Sequence, residues 1–262
     1  MTIETTMTKT ALFPDLNGAS VFITGGGSGI GAALTDGFLA QGANVGFVQR
    51  SDASEFASEM AQKHGRAPLF IQCDVTDTPA LKAAIDQTAE AFGPVSVLVN
   101  NAANDKRHAS LDVDEDFWDW MIAINLKAYF FGMQAVIPGM QKLGGGTIIN
   151  FSSISYKMGQ DGYPIYAASN AAIANMSHTM AREFGADKIR INALAPGWVL
   201  TQKQQDMWAT PDALDGHLVR QSLKEHLYEE DVVGTTLFLA SKVSRMITGQ
   251  VICVDGGVVQ TG

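Results

Sequence analysis

Thr24-Gly25-Gly26-Gly27-Ser28-Gly29-Ile30-Gly31 follows directly on the apolar run Ser20–Thr24 and opens into the amphipathic stretch Ile30–Gln41. A short apolar run that turns sharply into a helical pattern is the first half of a βαβ unit. Glycines admit positive φ in a tight turn and let the backbone approach a ligand with no Cβ in the way. The helix start adds free N–H groups and the positive end of the helix dipole. Together these suit a phosphate group, and in this setting the pyrophosphate of a dinucleotide. A glycine-rich turn alone would say little. Its place between strand and helix carries the reading.

Outward from that turn, short apolar runs alternate with longer amphipathic ones. Strands are expected at Ser20–Thr24, Asn44–Val48, Leu69–Gln72, Val95–Asn100, Thr147–Phe151, Arg190–Leu194 and Gln250–Val254. Helices are expected at Ile30–Gln41, Ala53–His64, Pro79–Phe92, Phe117–Leu143, Pro164–Gly185 and Glu229–Ala240. Val95-Ser96-Val97-Leu98-Val99 is apolar at nearly every position, as a strand covered on both faces should be. The alternation implies a doubly wound, Rossmann-like α/β fold with a parallel sheet. A single domain is expected over residues 13–262, behind a polar tail at 1–12. Residues 200–229 break the rhythm and are rich in Gln, Asp, Met and Trp. Ligands of α/β sheets bind beyond the carboxyl ends of the strands, so this insertion is either a substrate lid or a plain surface helix pair.

The chain has 262 residues, 46% hydrophobic and 17% charged, with a net charge of −9. That balance fits a globular chain and argues against nucleic acid or an acidic membrane as partner. Cys73 and Cys253 lie far apart in apolar stretches, without CxxC or His-rich neighbours. They read as buried, reduced thiols of a cytoplasmic protein, with no metal site. The N-terminal residues lack the apolar core of a signal peptide, and no apolar run is judged long enough to span a membrane.

The glycine spacing is Gly-x3-Gly-x-Gly. Asp74-Val75 follows the third strand, Asn100-Asn101-Ala102-Ala103 ends the fourth, and Pro196-Gly197-Trp198-Val199-x-Thr201 ends the sixth. In this set the chain resembles the short-chain dehydrogenase/reductase family from about Asn17 to Gly257, with Ala103 where the family's N-N-A-G has glycine. The resemblance implies an NAD- or NADP-dependent oxidoreductase. It places the cofactor on Gly25, Gly27, Ser28, Gly29, Ile30, Gly31, Arg50, Asp74, Val75, Asn100, Asn101, Ala102, Tyr166, Asn170, Pro196, Gly197, Val199 and Thr201.

The end of the second strand discriminates NAD from NADP. An acidic residue there would bind the ribose hydroxyls and repel a 2′-phosphate. Gln49-Arg50 stands there instead, and the Arg50 guanidinium can pair with a phosphate. Ser28, where NADP-preferring relatives often carry Arg or Lys, and the nearby Asp52 pull the other way. The reading leans to NADP or dual use.

The resemblance also implies a reacting centre. Its Y-x3-K motif is met by Tyr166-Ala167-Ala168-Ser169-Asn170; Ser153 stands thirteen residues before the tyrosine, and Asn125 matches the family's helix asparagine. The catalytic set is then Asn125, Ser153, Tyr166 and Asn170. Asn170 departs from the family, whose lysine binds the nicotinamide ribose and lowers the tyrosine pKa. A free tyrosine titrates near ~10, so about one in a thousand is phenolate at pH 7. Neutral Asn170 can replace some hydrogen bonding but not the charge. Two readings stand: an introduced substitution that cripples the base, or a native variant that works with asparagine.

Asn104-Asp105-Lys106-Arg107-His108 and Thr201-Gln202-Lys203-Gln204 resemble the bacterial aldose 1-dehydrogenase branch, which oxidises the anomeric hydroxyl of a cyclic sugar to the lactone. A polyhydroxylated substrate needs many polar partners once buried. The expected substrate contacts are Asn104, His108, Ser153, Ser155, Gln160, Tyr166 and Trp198. The cluster Lys106, Arg107 and His108 could equally recognise an anionic sugar. Reduction of another ketone, or dinucleotide binding without turnover, are the alternatives. The resemblance implies a homotetramer packed through Phe117–Leu143 and Pro164–Gly185, a role for which their apolar content is suited.

Overall fold

The computed structural model describes residues 11–260, so most of the stretch read as a polar tail lies outside the described residues. Seven strands form one sheet: β1 (Ser20–Thr24), β2 (Asn44–Gln49), β3 (Leu69–Gln72), β4 (Val97–Asn100), β5 (Gly146–Phe151), β6 (Ile189–Pro196) and β7 (Val251–Val254). Their order is β3-β2-β1-β4-β5-β6-β7 and every pairing is parallel. The chain winds outward from β1 to β3, then crosses to β4 and winds the other way. The gap between β1 and β4 is therefore the switch point at which such sheets bind ligands.

The helices are α1 (Gly29–Ala40), α2 (Ser54–His64), α3 (Thr78–Phe92), α4 (Glu115–Ile122), α5 (Ala128–Leu143), α6 (Ser155–Met158), α7 (Pro164–Phe184), α8 (Gln202–Met207), α9 (Pro211–Arg220) and α10 (Glu229–Ala240). Strand side chains alternate between the two faces. Val21, Ile23, Phe47, Val97 and Val99 meet Leu34 and Phe38 of α1, Met60 of α2 and Leu237 of α10. Phe22, Val48, Leu98 and Ile148 meet Leu81 of α3, Met133 and Ile137 of α5 and Met180 of α7. Gly37 lets α1 and α10 close together, since a Cβ there would lie 2.5 Å from Val233 Cγ1.

The expected elements are present with ends shifted by at most two residues, save one. The helix expected at Phe117–Leu143 begins at Glu115 and is interrupted by a π-helical turn over Ala123–Lys127. Such turns often mark functional sites, and this one contains Asn125. The continuous run Glu115–Leu143 is also long and apolar enough, by length and composition, to cross a bilayer. That corrects the reading that no such stretch exists. Its buried residues Tyr129, Met133, Val136 and Met140 pack within the protein, as a core helix does. Of the two cysteines, Cys73 is buried and Cys253 only partly so, and both are free thiols.

Candidate active site

The glycine turn has the backbone its sequence requires. Gly25 (φ +70°) and Gly29 (φ +50°) occupy the left-handed region, and a Cβ on Gly31 would lie 1.8 Å from the Gly25 carbonyl oxygen. Thr24 ties the turn to the loop after β4: its Oγ1 accepts the N–H groups of Asn101 (2.9 Å) and Ala102 (3.0 Å). Asn101 Nδ2 in turn donates to the carbonyls of Thr24 and Gly25. Ser28 stands at the N-cap of α1 without a side-chain cap bond, which leaves first-turn N–H groups for a phosphate.

A cavity of about 370 Å³ opens beside this turn, lined by Gly25, Ser28, Ile30, Gly31, Arg50, Asp74, Val75, Asn101, Ala102 and Thr201 among others. These donors and glycines fit a dinucleotide. Three expected cofactor residues line neither this cavity nor the one beyond it. Gly27 donates its N–H to Gln49 Oε1 (3.0 Å), and Gly29 serves as the bend into α1. Asn100 is fully buried and donates to Asn150 Oδ1 (2.9 Å) and the Tyr129 carbonyl (3.3 Å). At the ribose end Gln49 is held between Gly27 and Ser51, and Arg50 is exposed on the cavity wall. Asp52 turns away to accept from the Ser54 N–H and hydroxyl.

A second cavity, of about 770 Å³, adjoins the first and contains Asn125, Ser153, Tyr166 and Asn170 in its wall, with Pro196, Gly197, Val199 and Thr201. Ser153 stands just beyond β5, and Tyr166 lies in the first turn of α7, so thirteen residues of chain return to one place. Ser153 Oγ accepts from the Ser155 N–H at 3.1 Å. Asn125, on the π-helical turn, clamps the loop after β4. Its Oδ1 accepts the Asn104 N–H (2.8 Å) and its Nδ2 donates to the Asn104 and Met121 carbonyls (3.0 Å each). Asn170 is buried, its Nδ2 donating to the Tyr166 backbone carbonyl one turn earlier at 2.9 Å.

Residues 25–259 match the family described as enoyl-(acyl carrier protein) reductase. A probable galactose dehydrogenase of Rhizobium meliloti is 44% identical over 94% of this chain and 97% of its own length. D-xylose 1-dehydrogenase of Caulobacter vibrioides is 42% identical, covering 95% of this chain and 99% of that one. The chain belongs to the short-chain dehydrogenase/reductase family. A solved relative of this dehydrogenase/reductase, a metagenomic blue fluorescent protein in complex with NADPH, superposes with a TM-score of 0.86. It is 33% identical and covers 94% of this chain and 99% of its own.

The electrostatics of this dehydrogenase/reductase set its tyrosine apart. Burial, and then the negative charge of Asp105, push Tyr166 up to about 12, against the opposing hydrogen bonds of Ser153 and Asn170. Among the described residues no cation counters them. Lys157, the lysine nearest in sequence, holds its ammonium 5.1 Å over the Tyr156 ring. Burial also works to raise Asp105, but the hydrogen bond and charge of Lys203 and the Gln204 hydrogen bond outweigh it, so this carboxylate stays ionised.

The substrate wall of the dehydrogenase/reductase departs from the sequence reading. Ser153, Ser155, Gln160, Tyr166 and Trp198 line the larger cavity as expected. Asn104 lines the cofactor cavity instead, and His108 lines neither, packing edge-on against Phe117 at 5.0 Å. Lys106 lies over Phe117 and Trp120, so of the basic cluster only Arg107 reaches the cavity. The insertion at 200–229 folds into α8 and α9 and forms the wall opposite, through Gln204, Trp208, His217 and Arg220. The last three were not anticipated. Their chain positions carry no motif, and only the placement of the end of α8 and of α9 brings them in.

Proposed function

We propose that the chain is an NAD(P)-dependent aldose 1-dehydrogenase that oxidises the anomeric hydroxyl of a cyclic sugar to the aldonolactone. The observation that carries this reading is the wall around Ser153 and Tyr166. Ser155, Gln160, Tyr163 and Gln204 offer hydroxyl and amide groups for a polyol and Trp198 an apolar ring face, in a chain 42–44% identical to a probable galactose dehydrogenase and a xylose dehydrogenase. A bound nicotinamide supplies the hydride acceptor. Ser153 holds the anomeric oxygen, and Tyr166 as phenolate takes the hydroxyl proton. The O–H electron pair becomes the second C–O bond of the lactone as the C1 hydride departs. Asn125 fixes the Asn104 backbone in the wall of the cofactor cavity.

Burial and the Asp105 charge hold Tyr166 up at about 12, and neutral Asn170 supplies no positive charge to bring it down, so the base is impaired at neutral pH. Arg50 on the cofactor wall, with Asp52 engaged elsewhere, supports NADP or dual use. Exposed Trp118 and Phe130 on α4 and α5 support a homotetramer packed through those helices and α7.

The test is an aldose panel with NAD+ and NADP+, run on this chain and on Asn170→Lys, with apolar ketones as the contrast. Aldose turnover that rises in Asn170→Lys is expected. Ketone reduction alone would replace this reading with another reductase. The uncompensated Tyr166 favours a second reading, a dinucleotide-binding protein without turnover; tight cofactor binding with no hydride transfer even in Asn170→Lys would support it.

A further inference from the structure

The far wall of the larger cavity is built from hydrogen-bond donors. The Arg107 guanidinium lies 3.9 Å over the Tyr163 ring and 5.4 Å from the Trp208 ring centre. Tyr163 packs 5.8 Å from Tyr166, so Arg107 sits one aromatic ring beyond the reacting centre. Arg220 and His217 reach the same cavity from α9. Arg and Trp offer N–H groups and accept nothing, and a neutral His donates from one ring nitrogen. Trp208 Nε1 and His217 Nε2 are buried with no hydrogen-bond partner, a costly arrangement unless something in the cavity supplies acceptors.

The neighbouring carboxylates are engaged elsewhere or exposed. Asp255, whose charge opposes the lowering of His217, accepts the N–H groups of Gly257 and Val259. Asp105 is taken by Lys203 (2.9 Å) and Gln204 (2.8 Å). Asp161 and Asp212 are exposed residues at the cavity edge. Among the described residues no ion pair is formed by Arg107 or Arg220. Packing over Tyr163 and near Trp208 holds the Arg107 fork in place. One donor goes to the Tyr163 hydroxyl, and a guanidinium with five N–H groups keeps others free for an oxyanion.

We propose that Arg107, Trp208, His217 and Arg220 form an oxyanion subsite, and that the aldose oxidised here carries an exocyclic anionic group. The inference rests on the aldose reading above and narrows it from neutral sugars to sugar acids. Burial, with the charges of Arg220 and His226, lowers the His217 pKa, so the two guanidinium groups supply the fixed charge.

The probes are D-galactose, D-galacturonate and D-galactose 6-sulfate, titrated into the NADP+-loaded protein with tryptophan fluorescence and calorimetry as readouts. At least one anion should bind about tenfold or more tightly than galactose, a difference of the size charge-assisted pairing gives. Arg107→Gln, and Arg220→Gln on the exposed helix, should each erase most of that advantage while NADP+ affinity, the check on folding, stays within about twofold. Which anion wins separates a carboxylate from a tetrahedral oxyanion. Equal binding of galactose and both anions, or a preference that survives both substitutions, overturns the subsite alone. Binding of none of the three overturns the aldose reading with it.

Discussion

Gln204 Nε2 donates to Asp105 Oδ2 over 2.8 Å, joining α8 to the loop after β4 across nearly a hundred residues of chain. The same Gln204 accepts the Trp198 indole N–H at 3.0 Å, and Lys203 pairs with the other Asp105 oxygen at 2.9 Å. Asp105 thus ties α8 to the loop after β4 while its charge, behind burial, raises Tyr166. Asp105→Asn should raise the sugar KM several-fold and move the rise of kcat with pH to lower pH. The partly exposed pair itself contributes about 1 kcal/mol or less, so Tm should move by no more than about 4 °C. Steady-state kinetics across pH, with a thermal melt, check both.

Asn170→Lys puts a cation one helical turn from Tyr166. A nearby opposite charge lowers such a pKa by about 1–3 units, and the phenolate fraction at pH 7 rises by about 10- to 1,000-fold. The sign follows from the base being the deprotonated form. Below the Tyr166 pKa, kcat climbs with pH, and the lysine form should reach its plateau at lower pH. A kcat profile from pH 6 to 10 for both forms decides it; identical profiles would remove the phenolate from the mechanism.

Gln49→Glu keeps an acceptor for the Gly27 N–H but adds a negative charge beside the ribose. NADP+ affinity should fall about tenfold or more while NAD+ affinity holds or improves. Arg50→Ala should weaken NADP+ alone. Parallel titrations with the two cofactors measure the split.

Gly31→Ala places a methyl group against the Gly25 carbonyl, within covalent range in the present backbone. The turn must open, and dinucleotide affinity should drop by more than about 100-fold with the circular dichroism spectrum retained. Normal cofactor binding would mean that the pyrophosphate lies elsewhere.

Asn150 links Asn100 to Ser177 in the buried core between β4, β5 and α7. Asn150→Ala removes one buried hydrogen bond from each partner, leaving Asn100 on the Tyr129 carbonyl and Ser177 on the Ile173 carbonyl, and should cost about 2–3 kcal/mol, lowering Tm by about 4–12 °C. A loss under 1 °C would show that water or a neighbour takes over.

The strand set, the doubly wound order and the glycine cradle were legible in the sequence because each follows from local rules: period-two burial, helix periodicity and φ values that only glycine adopts freely. The pairing of Ser153 with Tyr166 was legible too, through a family spacing of thirteen residues. Asn100 and His108 were not. Both stand in the right segment, and only packing shows that Asn100 turns into the core while His108 turns onto Phe117.

By itself the sequence determined that a dinucleotide turn precedes a tyrosine lacking its lysine, since both are statements about neighbours along the chain. Tertiary structure decided the rest. It separated Arg107 from Lys106 and His108, and brought in Trp208 from the end of α8 and His217 and Arg220 from α9, about a hundred residues away. It also set half-buried Tyr166 within the field of Asp105, with no compensating cation among the described residues. Electrostatics depends on distance through space and on burial, and neither is written in the order of residues.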